Sequence, residues 1–335
     1  MPFNPNSDYA PPRLFRNCHI NTLYPALFRK VKGVDCQRVR LETPDDDFVD
    51  LDWSFAKPTA DSDTTQRKLL VCVHGLEGNA QRPYMRAMMR RFNTEGFDAV
   101  GLNLRSCSGE MNRRLDGYHS GRTDDLHLLI KSIVADGKYN DITLVGFSVG
   151  GNIALKYGGE MGENLPAEVR RIIAFSVTCD LEASSLELEK PRNRFYQWQF
   201  LVTLKRKVRL KAARFPNRFD LDKVLKANTF RQFDDHFTAP IHGYRDASDY
   251  WTNASSLPFL EKITVPTLLV NALDDTFLAP PCFPFELAKR STTFHLETPK
   301  YGGHLGFMSP DTEGYLWTER RAVAFFKQTE MCFLK

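Results

Sequence analysis

Apolar residues in this chain gather into short runs separated by helix-length segments of mixed character. "KLLVCVH" (68–74), "FDAVGLNL" (97–104), "DITLVGF" (141–147) and "RRIIAFSV" (170–177) have the length and near-continuous apolarity of strands buried on both faces. Between them lie segments that read as helices, beginning near Pro83, near Thr123 and at Val149. Such alternation predicts an α/β fold with a mostly parallel central sheet flanked by helices. Two shorter candidates precede it, "QRVRLE" (37–42) and "FVDLDWSF" (48–55), the second alternating as a half-buried strand should. "TADSDTTQ" (59–66) then reads as a polar loop.

The rhythm breaks between about 180 and 257, where aromatic, basic, helix-leaning sequence such as "RFYQWQFLVTLKRKVRLKAARF" replaces it. It resumes at "TVPTLLVNALDD" (264–275) and "TTFHLETP" (292–299) and ends in a helix near 312–327. The expected organisation is one α/β core, residues 1–180 and 257–335, with 1–35 as an N-terminal extension packed on it. Residues 181–256 form an inserted helical cap over the carboxyl edge of the sheet, where open α/β sheets carry their ligands.

With 335 residues, 42% hydrophobic and 26% charged, the chain can bury a substantial core, which excludes a disordered protein. No run approaches the roughly 18 apolar residues of a membrane span, and the N-terminus lacks the apolar core of a signal peptide, so a cytoplasmic protein is expected. Seven scattered cysteines without a C-x-x-C pair suggest reduced, mostly buried thiols and neither a metal nor a redox site. The net charge of +4 implies no nucleic-acid partner. Its distribution is uneven: residues 186–232 hold thirteen Lys or Arg against four acids, a local +9 that leaves −5 elsewhere.

The chemistry centres on "DITLVGFSVGGN" (141–152). Gly146-Phe147-Ser148-Val149-Gly150 fits G-x-S-x-G, a strand-to-helix turn that exposes a serine hydroxyl, with glycines where backbones approach too closely for a Cβ. A serine hydroxyl needs a histidine base, and the base needs an orienting carboxylate. Asp274 and Asp275 follow "TLLVNA"; Asp275 is preferred for its place before the turn "TFLAP", with Asp274 as the alternative. His304, in the glycine-flanked loop "KYGGHLGF", is the expected base. His119 precedes the serine and reads as a loop-bracing or pocket residue, while His295 reads as a strand residue. Oxyanion donors are expected from the backbone N–H of Val149 and, in "HGLEGN" (74–79), that of Leu76, with His74 and Gly75 shaping the turn. His74, His119 and Phe147 are candidate pocket residues.

With these residues in place the chain resembles the α/β-hydrolases, and within them the YheT-like subfamily, relatives of eukaryotic esterases and phospholipases that carry an α/β-hydrolase domain. The likeness runs through "LFRNCHINTLYPALFR" (14–29), "TPDDDFVDLDW" (43–53), "VHGLEGN" (73–79), "LNLRSCSGEMNR" (102–113), "YHSGRTDDL" (118–126), "GFSVGGNIALKYGGE" (146–160), "NALDDTF" (271–277) and "GGHLGF" (302–307). It departs at "EGNAQRPY", where serines are expected after the "HGLEG" core. The resemblance implies a serine hydrolase of carboxylic esters with short- to medium-chain acyl groups, using Ser148, Asp275 and His304 and no cofactor. Two alternatives are a phospholipase or lipase at anionic interfaces, touching membranes through the basic cap, and an acyltransferase sharing the acyl-enzyme. A cap whose aromatics line the acyl pocket and whose lysines meet water is the simpler expectation for 186–232.

Overall fold

The structure is a computed structural model that describes residues 3–4, 7–57 and 67–333; the polar loop expected at 59–66 lies outside the described residues. Among the described residues nine strands form one sheet: β1 (Phe3–Asn4), β2 (Gln37–Thr43), β3 (Asp47–Ser54), β4 (Lys68–Val73), β5 (Phe97–Asn103), β6 (Asp141–Phe147), β7 (Val169–Phe175), β8 (Thr267–Val270) and β9 (Phe294–Glu297). Their order is β1-β9-β8-β7-β6-β4-β5-β3-β2. All pairings are parallel except β2 with β3 and β3 with β5.

Both faces of the central strands are covered. Along β4, Leu69, Val71 and Val73 belong to one apolar cluster and Leu70 and Cys72 to another on the opposite face. That is why these strands appear in the sequence as unbroken apolar runs. The covering helices include α2 (Pro83–Asn93), α3 (Asp124–Asp136) and α4 (Val149–Met161), while α1 (Cys18–Phe28), with no residue in either cluster, meets the loop after β9 through Thr22. Between β7 and β8 lie only helices: α5 (Leu181–Glu189), α6 (Arg194–Arg214), α7 (Leu221–Lys226), the short α8 (Phe230–Phe233) and α9 (Ala239–Ile241), and α10 (Ala247–Ala254). This segment has its own apolar cluster, including Leu188, Leu201, Val208, Phe230, Phe233 and Trp251, and Phe277 joins it from the loop after β8. Helices α11 (Phe285–Arg290) and α12 (Trp317–Phe333) complete the fold.

Four details differ from the sequence reading. β3 is not half-buried: Asp47, Asp50 and Asp52 are buried with all the rest of it but Trp53. Their carboxylates are met by arginines, Asp50 by Arg40 at 2.8 Å, Asp52 by Arg38 at 2.7 Å and Asp47 by Arg105 at 3.2 Å, so polar alternation here reports ion pairing and not solvent. The final helix starts at Trp317, five residues later than expected, because Asp311 folds the preceding segment into a turn by accepting from the N–H groups of Glu313 and Tyr315. Helix α1 was not anticipated; Pro25 lies inside it, and Asn17 caps it by accepting from the N–H groups of His19 and Ile20.

The fourth concerns the basic segment, whose cations do not all face water. Lys207 reaches Glu77 at 2.8 Å, and Lys211 and Arg214 both donate to the carbonyl of Asn112, so α6 is pinned to the core by its lysines and arginines. Among the described cysteines, 72, 107, 179 and 282 are buried and 18 and 36 half-buried, all free.

Candidate active site

Strand β6 ends at Phe147 and α4 begins at Val149, leaving Ser148 alone in the turn with φ 53° and ψ −121°. A non-glycine residue in that region is strained, and the surroundings must enforce it. They do so by crowding: a Cβ on Gly146 would stand 2.4 Å from the Gly150 carbonyl oxygen, and one on Gly150 2.2 Å from that of Val73. The Ser148 N–H is held by the Phe175 carbonyl at 2.9 Å.

The loops after β4, β6, β8 and β9 all leave the carboxyl edge of parallel strands, so residues distant in sequence meet there. His304, after β9, places Nε2 2.9 Å from Ser148 Oγ and Nδ1 2.8 Å from Asp275 Oδ2. A carboxylate only accepts, so the ring proton lies on Nδ1 and Nε2 is left to accept from the serine hydroxyl. Asp275 is itself held by the Phe277 N–H, which donates to Oδ1 at 3.0 Å. Ser148, Asp275 and the His304 side chain are all nearly excluded from water. Asp274 faces elsewhere. Its Oδ1 accepts from the Gly303 N–H at 2.9 Å, its Oδ2 is buried without a hydrogen-bond partner, and burial raises its pKa to about 6.

The backbone of Leu76 follows Gly75, which packs so closely on the turn that a Cβ there would stand 3.1 Å from Ser148 Cβ. The Gly75 N–H donates to the Tyr84 hydroxyl. Glu77 is left-handed, with φ 53°. The Tyr118 hydroxyl accepts from its N–H at 3.0 Å and donates to its carboxylate at 2.8 Å, and Lys207 of α6 supplies a second donor to the same oxygen. The candidate donor Leu76 is therefore bracketed by fixed neighbours.

The remaining candidates divide. His74 is fully buried behind the loop. Its Nδ1 donates to the Gly75 carbonyl, its Nε2 accepts from the Leu104 N–H at 3.1 Å, and burial lowers its pKa to about 4; it braces the turn and lines neither of the two cavities that meet at Ser148. His119 does line a cavity, with its ring 4.7 Å from that of His242, and burial together with His242 holds its pKa well below the usual imidazole range. Phe147 lines a second cavity while stacked on Phe175.

Three contributors escaped the sequence reading. Thr22 of α1 accepts the His304 N–H on its Oγ1 at 2.9 Å. Phe277 stacks on the His304 ring at 4.2 Å between centroids. Ser176 accepts the Leu305 N–H at 3.0 Å. Thr22 lies in "LFRNCHINTLYPALFR" (14–29), a stretch that carries the family likeness, and that likeness is the one signal pointing to it.

Two cavities meet at Ser148. The inner one, of about 160 Å³, lies beneath the helices between β7 and β8 and is walled by Leu181, Leu204, Phe230, Phe233 and Trp251. The outer one, of about 570 Å³, lies between α1, α2 and α6 and includes Leu23, Tyr84, Tyr196 and Trp198. Leu76, Ser148, Phe200 and Phe277 line both. No helix among the described residues is long and apolar enough to cross a membrane.

The model of the alpha/beta hydrolase fold family matches residues 68–281. The chain is 34% identical to the presumptive esterase YheT of Escherichia coli (strain K12) over 95% of its own length and 93% of that protein's. It is 31% identical to the human phospholipase ABHD3, covering 80% of this chain and 66% of that one. Among solved structures, the esterase Pf2001 of Pyrococcus furiosus superposes with a TM-score of 0.57 at 15% identity, over 90% of this chain and 97% of that one, a likeness of fold.

Proposed function

The chain belongs to the α/β-hydrolase family, and from that premise we propose that it is a serine esterase that cleaves carboxylic esters through an acyl-enzyme. The observation that carries this reading is the unbroken hydrogen-bond chain from Ser148 Oγ through His304 to Asp275. Ser148 Oγ attacks the ester carbonyl while its proton passes to His304 Nε2, and Asp275 stabilises the imidazolium that forms. The oxyanion develops toward the N–H groups of Leu76 and Val149, each worth about 3 kcal/mol of barrier. Collapse breaks the carbon–oxygen bond to the alcohol, which leaves with the proton from Nε2. Water, deprotonated by the same nitrogen, then releases the acid and restores Ser148.

The strained turn supports the assignment, since it holds the hydroxyl at the mouth of α4, whose N-terminus carries partial positive charge. Turnover of p-nitrophenyl esters of graded acyl length tests it. Loss of at least about 10³-fold in kcat is expected for Ser148→Ala and for His304→Ala; full activity of either would refute the reading.

A second reading, a lipase or phospholipase working at an anionic lipid surface, is favoured by the rim of the outer cavity. Leu27, Phe195 and Trp198 are 68%, 55% and 62% exposed there, with Arg194 adjacent in sequence to Phe195. Vesicle binding that weakens with added salt supports it, and indifference to vesicles would remove it.

A further inference from the structure

We propose that the two cavities divide the substrate, the inner one taking the acyl chain and the outer one the alcohol, so that the preferred substrates join a size-limited acyl group to a bulky apolar alcohol. This assignment rests on the esterase reading above and deepens it. Its starting point is which residues face which space. Val149, a candidate oxyanion donor, lines the inner cavity and not the outer; His304 lines the outer cavity and not the inner.

In the tetrahedral intermediate the former carbonyl carbon carries Ser148 Oγ, the oxyanion, the acyl carbon and the alcohol oxygen. Only the alcohol oxygen receives the proton held on His304 Nε2 as its bond to carbon breaks, so the alcohol must lie on the His304 side, in the outer cavity. With the oxyanion directed to Leu76 and Val149, the direction left for the acyl carbon is the inner cavity. The two spaces then differ in what they tolerate. Every residue lining the inner cavity is buried or half-buried, and its volume of about 160 Å³ falls below the roughly 300 Å³ at which pockets for drug-sized ligands begin. The outer cavity is larger, about 570 Å³, and its wall runs out through exposed Ala26, Leu27, Phe195 and Trp198. A long alcohol arm can extend along that wall to the surface, whereas a long acyl chain outgrows the smaller volume lined by Phe233 and Trp251.

The test uses constitutional isomers that differ only in which arm is long: dodecyl acetate and ethyl dodecanoate, presented in the same neutral mixed micelles to the wild-type chain. The expected kcat/KM favours dodecyl acetate by about tenfold or more, the range a misfit of a few methylenes commands in an apolar pocket. Two filling substitutions cross-check the assignment. Leu204→Trp, on the inner wall, lowers the octanoate-to-acetate ratio measured with ethyl esters. Ala26→Trp, on the outer wall, lowers the dodecyl-to-ethyl ratio measured with acetates. Preference for ethyl dodecanoate, or variant effects that are exchanged between the two series, would overturn the assignment while leaving the esterase reading intact. Failure of every ester, ethyl acetate included, together with no reaction of Ser148 with a fluorophosphonate, would instead overturn the esterase reading beneath it.

Discussion

The ammonium of Lys207, midway along helix α6, lies 2.8 Å from the carboxylate of Glu77, the residue directly after the candidate oxyanion donor Leu76. The pair ties α6 to the loop that packs on Ser148. Glu77 adopts a left-handed backbone that glycine would accept more readily, so its side chain has to justify the residue's presence, and the contacts to Lys207 and Tyr118 supply that reason. Lys207→Met is expected to lower kcat by about 10- to 100-fold with a smaller change in KM, as displacement of a preorganised donor does. Lys207→Arg should recover much of the loss. A purely stabilising role would instead lower the melting temperature and leave kcat alone, so measuring both separates the two.

The adjacent aspartates should behave as opposites. Asp275→Asn leaves the His304 ring with the wrong partner at Nδ1 and is expected to lower kcat by about 10³- to 10⁴-fold. Asp274→Asn keeps an oxygen to accept from the Gly303 N–H and is expected to stay within about tenfold of wild type. Steady-state kinetics on a single p-nitrophenyl ester decides between them; equal losses would contradict the geometry.

Much of this was legible from residues alone, for definite reasons. The parallel strands announced themselves because burial on both faces forces continuous apolar runs, and the turn at Ser148 because close backbone approach admits only glycine at 146 and 150. What pairing decides was not legible. Asp274 and Asp275 differ by one position in a loop, so the sequence prefers Asp275 but leaves Asp274 open, and the path of that loop brings Asp275 to the imidazole. The cations of 186–232 look alike in sequence, yet Lys207 and Lys211 turn inward while Arg206 and Arg209 stay exposed. Helix α1 was hidden by Pro25, and with it the support that Thr22 gives to His304.

Two glycine substitutions should separate folding from catalysis. Gly150→Ala would drive a methyl into the Val73 carbonyl, 2.2 Å away, and is expected to abolish folding. Gly75→Ala meets Ser148 Cβ at 3.1 Å, a contact that a small loop shift relieves, so a folded protein with about 10- to 100-fold lower kcat is expected. Circular dichroism together with kinetics on both variants checks the pair.

Asp234 gives a stability profile with a fixed sign. It is buried in the inner cavity wall with Trp251 Nε1–H donating to Oδ2, and burial raises its pKa from 3.8 to about 7. Below pH 3.8 the carboxyl is protonated whether the chain is folded or not. Between 3.8 and about 7 the unfolded chain releases the proton and the folded one keeps it, so this group costs the folded state more as pH rises, by at most about 1.4 kcal/mol per pH unit. Asp234→Asn removes the titration while keeping an acceptor for Trp251. The melting temperature of the variant relative to wild type is expected to climb between pH 4 and 7 and level off above; a pH-independent difference would contradict the assignment.

The proposed esterase activity depends most on Ser148 being the activated nucleophile, and covalent trapping reads that directly. After incubation with a fluorophosphonate, peptide mass spectrometry of the wild-type chain is expected to find one adduct, on Ser148, with no labelling in Ser148→Ala and far slower labelling in His304→Ala. An adduct on another residue, or labelling that persists in Ser148→Ala, would contradict it.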